Sequence, residues 1–313
     1  MRVFVFPGQG SQKVGMGEDF YQNFSVAKNV FHEVDDTLGF KLSELMFKGD
    51  LTELSMTKNT QPALMTIGIA ILKVLEQELG KKVSEISSYL CGHSLGEFTA
   101  LCASGVIELK DTAKLLKIRG EAMQEAVPMG QGAMAALISG DFSKISELLL
   151  KVSEKGICEI ANENSKEQIV ISGNADAVKE AVKISSNFNI KKSILLNVSA
   201  PFHCKLMLPA QEKLREKLNN IKFNDPQVSI ICNYTGLPEN NPIKLKNNII
   251  EQVINKVKWR ETMNFLSNEK LQQLVELGSG KVLTNIAKRM SNQIHSFNIE
   301  TLEDFKEKLS NFS

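Results

Sequence analysis

Glycine and proline are scarce, 20 and 8 in 313 residues, which excludes collagen-like and low-complexity classes. Charge of one sign is lacking too: 37 basic side chains face 36 acidic ones, a net charge of +1. No global field attracts nucleic acid or an anionic membrane, and neither is expected as a partner, although local basic patches have room to exist. No long hydrophobic run is present; the longest apolar stretch, Ala63 to Leu72, falls far short of the ~18 residues of a membrane span. Cysteine is sparse and odd in number: Cys91, Cys102, Cys158, Cys204 and Cys232 are widely spaced with no C-x-x-C. That spacing argues against a disulfide framework or structural zinc and for a reducing compartment. The opening MRVFVFPGQG has a run of four apolar residues before Pro7, too few for a signal-peptide core, so a cytoplasmic protein is expected. What is present is 42% apolar and 23% charged residues, enough to bury one large core or two modest ones and too apolar for disorder.

Short β-type runs alternate with helical stretches, the pattern of an α/β fold. Val3–Phe6 reads as a buried strand. Thr60 reads as an N-cap, with Pro62 in the first turn of a helix running to about Leu79. Ser88–Cys91 is a second strand, Ser94–Ser104 a small-residue helix and Asp111–Val127 a longer one. Pro128-Met129-Gly130-Gln131-Gly132 breaks the chain. Beyond it, Ala133–Ile138, Phe142–Glu154, Ile157–Ala161, Gln168–Ser172, Ala175–Asn187 and Ser193–Val198 alternate as β-α-β-β-α-β, a ferredoxin-like order. Further strands are expected at Val228–Cys232 and Leu271–Leu277. The expected organisation is a large α/β subdomain, 1–127 and 199–313, interrupted by a small ferredoxin-like one, 128–198, with a groove between them.

Gly92-His93-Ser94-Leu95-Gly96 fits G-x-S-x-G between a strand and a helix. A serine on so tight a turn has strained dihedrals, and its neighbours must be glycine for the chain to pass closely. The turn raises Oγ above the sheet and points the Leu95 N–H at the oxyanion of acyl transfer. A serine nucleophile needs a base, and four histidines are available. His93 abuts the serine and should leave the turn in another direction; His32 and His295 read as surface or structural residues. His203, in Ser199-Ala200-Pro201-Phe202-His203-Cys204, follows the serine in the chain order of α/β-hydrolases and is the expected base. No acid between the two sits in a recognisable catalytic context. A neutral orienter such as a backbone carbonyl can still fix the imidazole tautomer. Its weaker support suits a thioester, whose thiol, with a reference pKa of about 8.5, leaves with little acid assistance.

Five segments recur in a known order: Phe6-Pro7-Gly8-Gln9-Gly10-Ser11-Gln12, Gly92-His93-Ser94-Leu95-Gly96-Glu97, Ile118-Arg119-Gly120, Ala200-Pro201-Phe202-His203 and Gly278-Ser279-Gly280-Lys281-Val282-Leu283. Together they resemble the malonyl-CoA:acyl carrier protein transacylases of dissociated, type II fatty acid synthesis, from about Val3 to Met290. The resemblance implies an α/β-hydrolase-like large subdomain with an inserted ferredoxin-like one. It implies transfer of malonyl from malonyl-CoA to holo acyl carrier protein through a malonyl-serine, with no metal and no bound cofactor. By the same resemblance Ser94 is the nucleophile, His203 the base and Gln252 the residue whose main-chain carbonyl orients it. Gln9 and Leu95 supply the oxyanion-hole N–H groups, and Arg119 pairs with the malonyl carboxylate. A guanidinium matches a carboxylate with two parallel hydrogen bonds; without the family match, Arg119 reads as a solvated helix residue. Phe202 either narrows the space at the malonyl α-carbon or is a core phenylalanine. Lys256 and Ser279 stand where the family commonly has proline, and Cys204 where it commonly has serine. The chemical alternatives are a polyketide synthase acyltransferase and a serine carboxylesterase.

Other patterns fail. Gly8-Gln9-Gly10 lacks the glycine that a dinucleotide fingerprint needs at Lys13, and Gly278-Ser279-Gly280-Lys281 lacks the spacing of a P-loop. Lys288-Arg289 and Lys191-Lys192 invite an acidic carrier protein but read by themselves as solvated charge.

Overall fold

Arg2–Phe6 (β1) has apolar residues at every position after the first. In the computed structural model, which describes residues 1–139, 141–291 and 293–312, both of its faces are covered. Phe4 and Phe6 join one apolar cluster, Val3 and Val5 another, as a central strand of a parallel sheet requires. β1 lies between β2 (Tyr89–Gly92) and β9 (Gln273–Leu277), parallel to both. With β7 (Ser229–Ile231), β8 (Pro238–Glu239) and β10 (His295–Ile299) they form a six-stranded sheet ordered β10-β9-β1-β2-β7-β8, in which only β8 runs antiparallel to its neighbour.

A second, antiparallel sheet holds β3 (Gly132–Ile138), β4 (Cys158–Glu163), β5 (Gln168–Asn174) and β6 (Lys192–Leu195) in the order β4-β5-β3-β6. Its period-two pattern divides the side chains cleanly. Ala135, Leu137, Ile169 and Ile171 pack with the helices Phe142–Val152 and Ala175–Ile184 into a core of their own. The alternate residues Met134, Ala136, Gln168 and Val170 line a cavity on the opposite side. The fold is therefore mixed α/β with two sheets.

The smaller sheet is stitched at β4 to the segment that precedes the helix Trp259–Asn268. The pairing of β4 with β5 shifts register between Ile160 and Asn162. The Ala161 carbonyl accepts from the Val257 N–H at 2.8 Å, and the Glu163 N–H donates back to the Val257 carbonyl at 2.9 Å. Beside this rung the buried Glu163 carboxylate takes Lys256 Nζ at 2.5 Å and Arg260 Nη2 at 3.1 Å. Lys256 thus supplies a cation that the family's usual proline lacks.

Several expected boundaries move. The helix placed from Thr60 begins at Thr57 and runs to Leu79, because the Asn59 and Thr60 side chains donate backwards to the Glu53 and Leu54 carbonyls instead of capping. β6 ends at Leu195, not Val198: Leu196 N–H still reaches the Met134 carbonyl, but Val198 N–H turns back onto the Leu196 carbonyl. The small-residue helix starts at Leu95 and leaves Ser94 in the turn. Among the described residues no helix is long and apolar enough to cross a membrane.

Candidate active site

Ser94 sits between β2 and the helix Leu95–Ala103 with φ 55° and ψ −108°, a conformation costly for an L-residue. The glycines around it are steric necessities. A Cβ on Gly92 would stand 2.1 Å from the Gly96 carbonyl, and one on Gly96 would stand 2.2 Å from the Phe6 carbonyl oxygen.

The strained turn delivers Ser94 Oγ to within 2.8 Å of His203 Nε2. His203 is itself at positive φ, 59°, and its Nδ1 lies 2.8 Å from the main-chain carbonyl of Gln252. A carbonyl only accepts, so Nδ1 carries the hydrogen, Nε2 is the free base and the serine hydroxyl donates to it. Burial, with the Arg119 cation beside it, pushes the His203 pKa down to about 3, so the ring is neutral.

Arg119, on the helix Leu109–Glu125, is 2% exposed and meets the same hydroxyl from the other side: Nη2 donates to Ser94 Oγ at 3.1 Å. Nη2 also donates to Gln252 Oε1 at 2.9 Å, and Nη1 to Gln61 Oε1 at 2.8 Å. Burial lowers its pKa to about 10, which leaves it charged at neutral pH. No carboxylate touches it directly; its nearest counter-charge works through the Gln252 amide, whose Nε2 donates to Glu97 Oε2 at 2.7 Å and to the Ser94 carbonyl at 2.9 Å. Burial raises the Glu97 pKa to about 7.

The structure thus brings Ser94, His203, Gln252 and Arg119 to one point. Gln9, Phe202 and the Ser94–His203 pair line the cavity of about 410 Å3 between the sheets, together with Val282, Leu283 and Ile286. Among the described residues neither the Gln9 nor the Leu95 main-chain N–H donates to another protein group, while the Gln9 side chain donates to Thr57 Oγ1 at 3.4 Å. Among the described residues none of the remaining histidines bonds the Ser94 hydroxyl, although His93 lines the same cavity. His93 Nε2 is 2.9 Å from Asn164 Oδ1 and its ring lies against Trp259; His32 meets the Tyr21 hydroxyl; His295 begins β10, exposed.

Three contributors went unassigned in the sequence reading: Gln61, Asn233 and the Glu97 carboxylate. Gln61 is a buried polar residue in an otherwise apolar helix. Asn233 lies two positions beyond the C-terminal end of a parallel strand, where α/β sheets place their sites. Those were the available signals.

The domain model described as "Acyl transferase domain" matches residues 3–303. The malonyl CoA-acyl carrier protein transacylase of Bacillus subtilis is 40% identical over 305 residues, covering 96% of this chain and 95% of that one. The crystal structure of an acyl-carrier-protein-S-malonyltransferase from Bartonella henselae superposes with a TM-score of 0.96 at 44% identity, over 99% of each chain. A malonyl-transacylase solved with its type II polyketide acyl carrier protein superposes at 0.94 with 38% identity, again over 99% of each. The chain belongs to the malonyl-CoA:acyl carrier protein transacylase family of acyl transferase domains.

Proposed function

We propose that this chain transfers the malonyl group of malonyl-CoA to the phosphopantetheine thiol of an acyl carrier protein in two steps through a malonyl-serine. One observation carries the reading: a single oxygen, Ser94 Oγ, is held at once by a neutral imidazole and by a buried guanidinium.

In the first step His203 Nε2 takes the Ser94 proton as Oγ bonds to the thioester carbon. The Gln9 and Leu95 N–H groups receive the oxyanion. Collapse breaks the C–S bond, and the departing CoA thiolate takes the proton from His203. In the second step the carrier thiol gives its proton to His203, its sulfur attacks the ester carbon, and collapse returns Oγ, which recovers the proton. The Gln252 carbonyl keeps the imidazole in one tautomer throughout, and the kinetics are ping-pong. Arg119 selects the acyl group, because a free carboxylate at the far end of a malonyl unit offers two acceptors in its plane. Phe202, beside the base, narrows the space over the malonyl α-carbon.

The four-stranded sheet is best understood as a ferredoxin-like insert, 128–198, in an α/β-hydrolase-like unit of 1–127 and 199–313. Its β-α-β-β-α-β order and its separate core support this, as does Gly132 packing against Pro201 where the chain enters and leaves. A reducing, cytoplasmic setting fits five cysteines that are all free. Fatty acid elongation is the assigned pathway; service to a polyketide carrier is the second reading, favoured by the solved complex of that kind. A carboxylesterase would have no use for Arg119 where it stands.

Incubation with malonyl-CoA, with and without holo acyl carrier protein, tests the reading by intact mass. The expected result is one added malonyl on this chain, lost on Ser94→Ala, and its passage to the carrier. Release of free malonate with no transfer overturns it.

A further inference from the structure

Left to itself, the Ser94 turn relaxes: residues in sparsely populated backbone regions cost on the order of 1–3 kcal/mol and persist only where their surroundings over-determine them. The Gln252 amide holds the Ser94 carbonyl, and the side chain of Asn233 holds the two main-chain groups on either side of His93. Asn233 Oδ1 accepts from the Ser94 N–H at 2.7 Å, and its Nδ2 donates to the Gly92 carbonyl at 2.7 Å. A primary amide presents an acceptor and a donor side by side, so it pairs with both ends of the turn as a neighbouring strand would. Its orientation is forced, since a flipped amide would set NH2 against N–H and oxygen against oxygen.

Asn233 is itself fixed. It is fully buried, its N–H donates to Glu97 Oε2 at 3.0 Å, and its carbonyl accepts from the Lys258 N–H at 2.9 Å. Among the described residues it shares no direct hydrogen bond with Arg119 or His203; its Oδ1 also accepts, at 3.4 Å, from Gln252 Nε2.

We propose that Asn233 is a positioning residue that holds the Gly92–Ser94 turn in its strained form and so keeps Ser94 Oγ on His203 Nε2. The inference rests on Ser94 being the nucleophile. Because Asn233 serves the attacking atom and not the acyl group, its loss slows acylation by malonyl-CoA and acetyl-CoA alike, whereas Arg119 separates the two.

Asn233→Leu removes both hydrogen bonds to the turn, and the longer one from Gln252 Nε2, at similar size; Asn233→Thr keeps one hydroxyl that serves one end of the turn at a time. Acylation of Ser94 is followed by quenched intact mass with malonyl-CoA and with acetyl-CoA, and by labelling with a fluorophosphonate. All three rates are expected to fall together by about a hundredfold in Asn233→Leu, the effect of an ångström of misplacement, with the malonyl-to-acetyl ratio kept within about twofold. Asn233→Thr is expected to lose about tenfold, and it decides alone if the leucine variant fails to fold. Rates within about threefold of the unaltered protein in a folded variant overturn the proposal, and so does a loss confined to malonyl. An unaltered protein that takes no malonyl from malonyl-CoA defeats the functional reading instead, whatever Asn233 does.

Discussion

At the scale of single residues, the Ser94 hydroxyl is shared between His203, the proposed base, and Arg119, the cation proposed to bind the substrate's far end. Replacing Arg119 by Ala removes the second, together with one of the causes that hold the His203 pKa down. Malonyl transfer is expected to fall by about 2 kcal/mol or more relative to acetyl transfer, some thirtyfold, measured as the ratio of kcat/KM for the two thioesters. Lysine at 119 is not expected to restore the ratio, since an ammonium cannot match both carboxylate oxygens in one plane. The buried imidazole sets the pH dependence. With the His203 pKa near 3, the base stays neutral at pH 5, where an ordinary histidine is mostly protonated. The rate of Ser94 acylation is therefore expected to show no acid limb near pH 6.5 and to hold until well below pH 5. The linkage to stability has the same origin: the unfolded histidine binds a proton below about 6.5 that the folded one refuses, so this residue's contribution is lost as pH falls from there toward 3. Ser94 and His203 were legible in the sequence because a glycine-flanked serine and a proline-loop histidine are local patterns. The Arg119 assignment needed the family resemblance, and Gln61 and Asn233 were not assigned, since their value lies in partners 58 and 139 positions away.

At the scale of elements, the strand–turn–helix unit works because its parts nearly touch. Gly96 rests on the Phe6 carbonyl of β1, the same carbonyl that accepts the His93 N–H at 3.0 Å. Gly96→Ala forces these apart and is expected to cost about 1–3 kcal/mol in urea unfolding and about a hundredfold in acylation. Here too the sequence was readable where physics is local. β1 through β5 and the two helices of the smaller sheet fall close to the expected positions, because burial periodicity fixes an element's existence more firmly than its ends. The ends moved where a hydrogen bond outside the regular ladder took over: the Thr60 side chain reached back to the Leu54 carbonyl, and past β6 the Val198 N–H turned onto the Leu196 carbonyl. Ser279, in place of the family's usual proline, has a similarly distant role. Its Oγ donates to the Ser11 carbonyl at 2.7 Å and tethers the loop that carries Gln9.

At the scale of the molecule, the groove has a floor from the turns that follow β1 and β2 and a wall from the four-stranded sheet, and the Glu163 carboxylate lies where that sheet meets the Lys256–Arg260 segment. Glu163→Ala leaves Lys256 and Arg260, both partly exposed, free to hydrate. The cost is therefore expected to be about 1–2 kcal/mol in urea unfolding, below that of stranding a fully buried charge. Part of that loss is expected to appear as a raised KM for malonyl-CoA as the wall shifts. The two main-chain bonds at Val257 remain in that variant, and they limit how far the wall can travel. A cleft sewn in this manner behaves as a mould of set calibre rather than as a jaw: it sorts acyl groups by fit, and a wider bore has to come from trimming the side chains that line it.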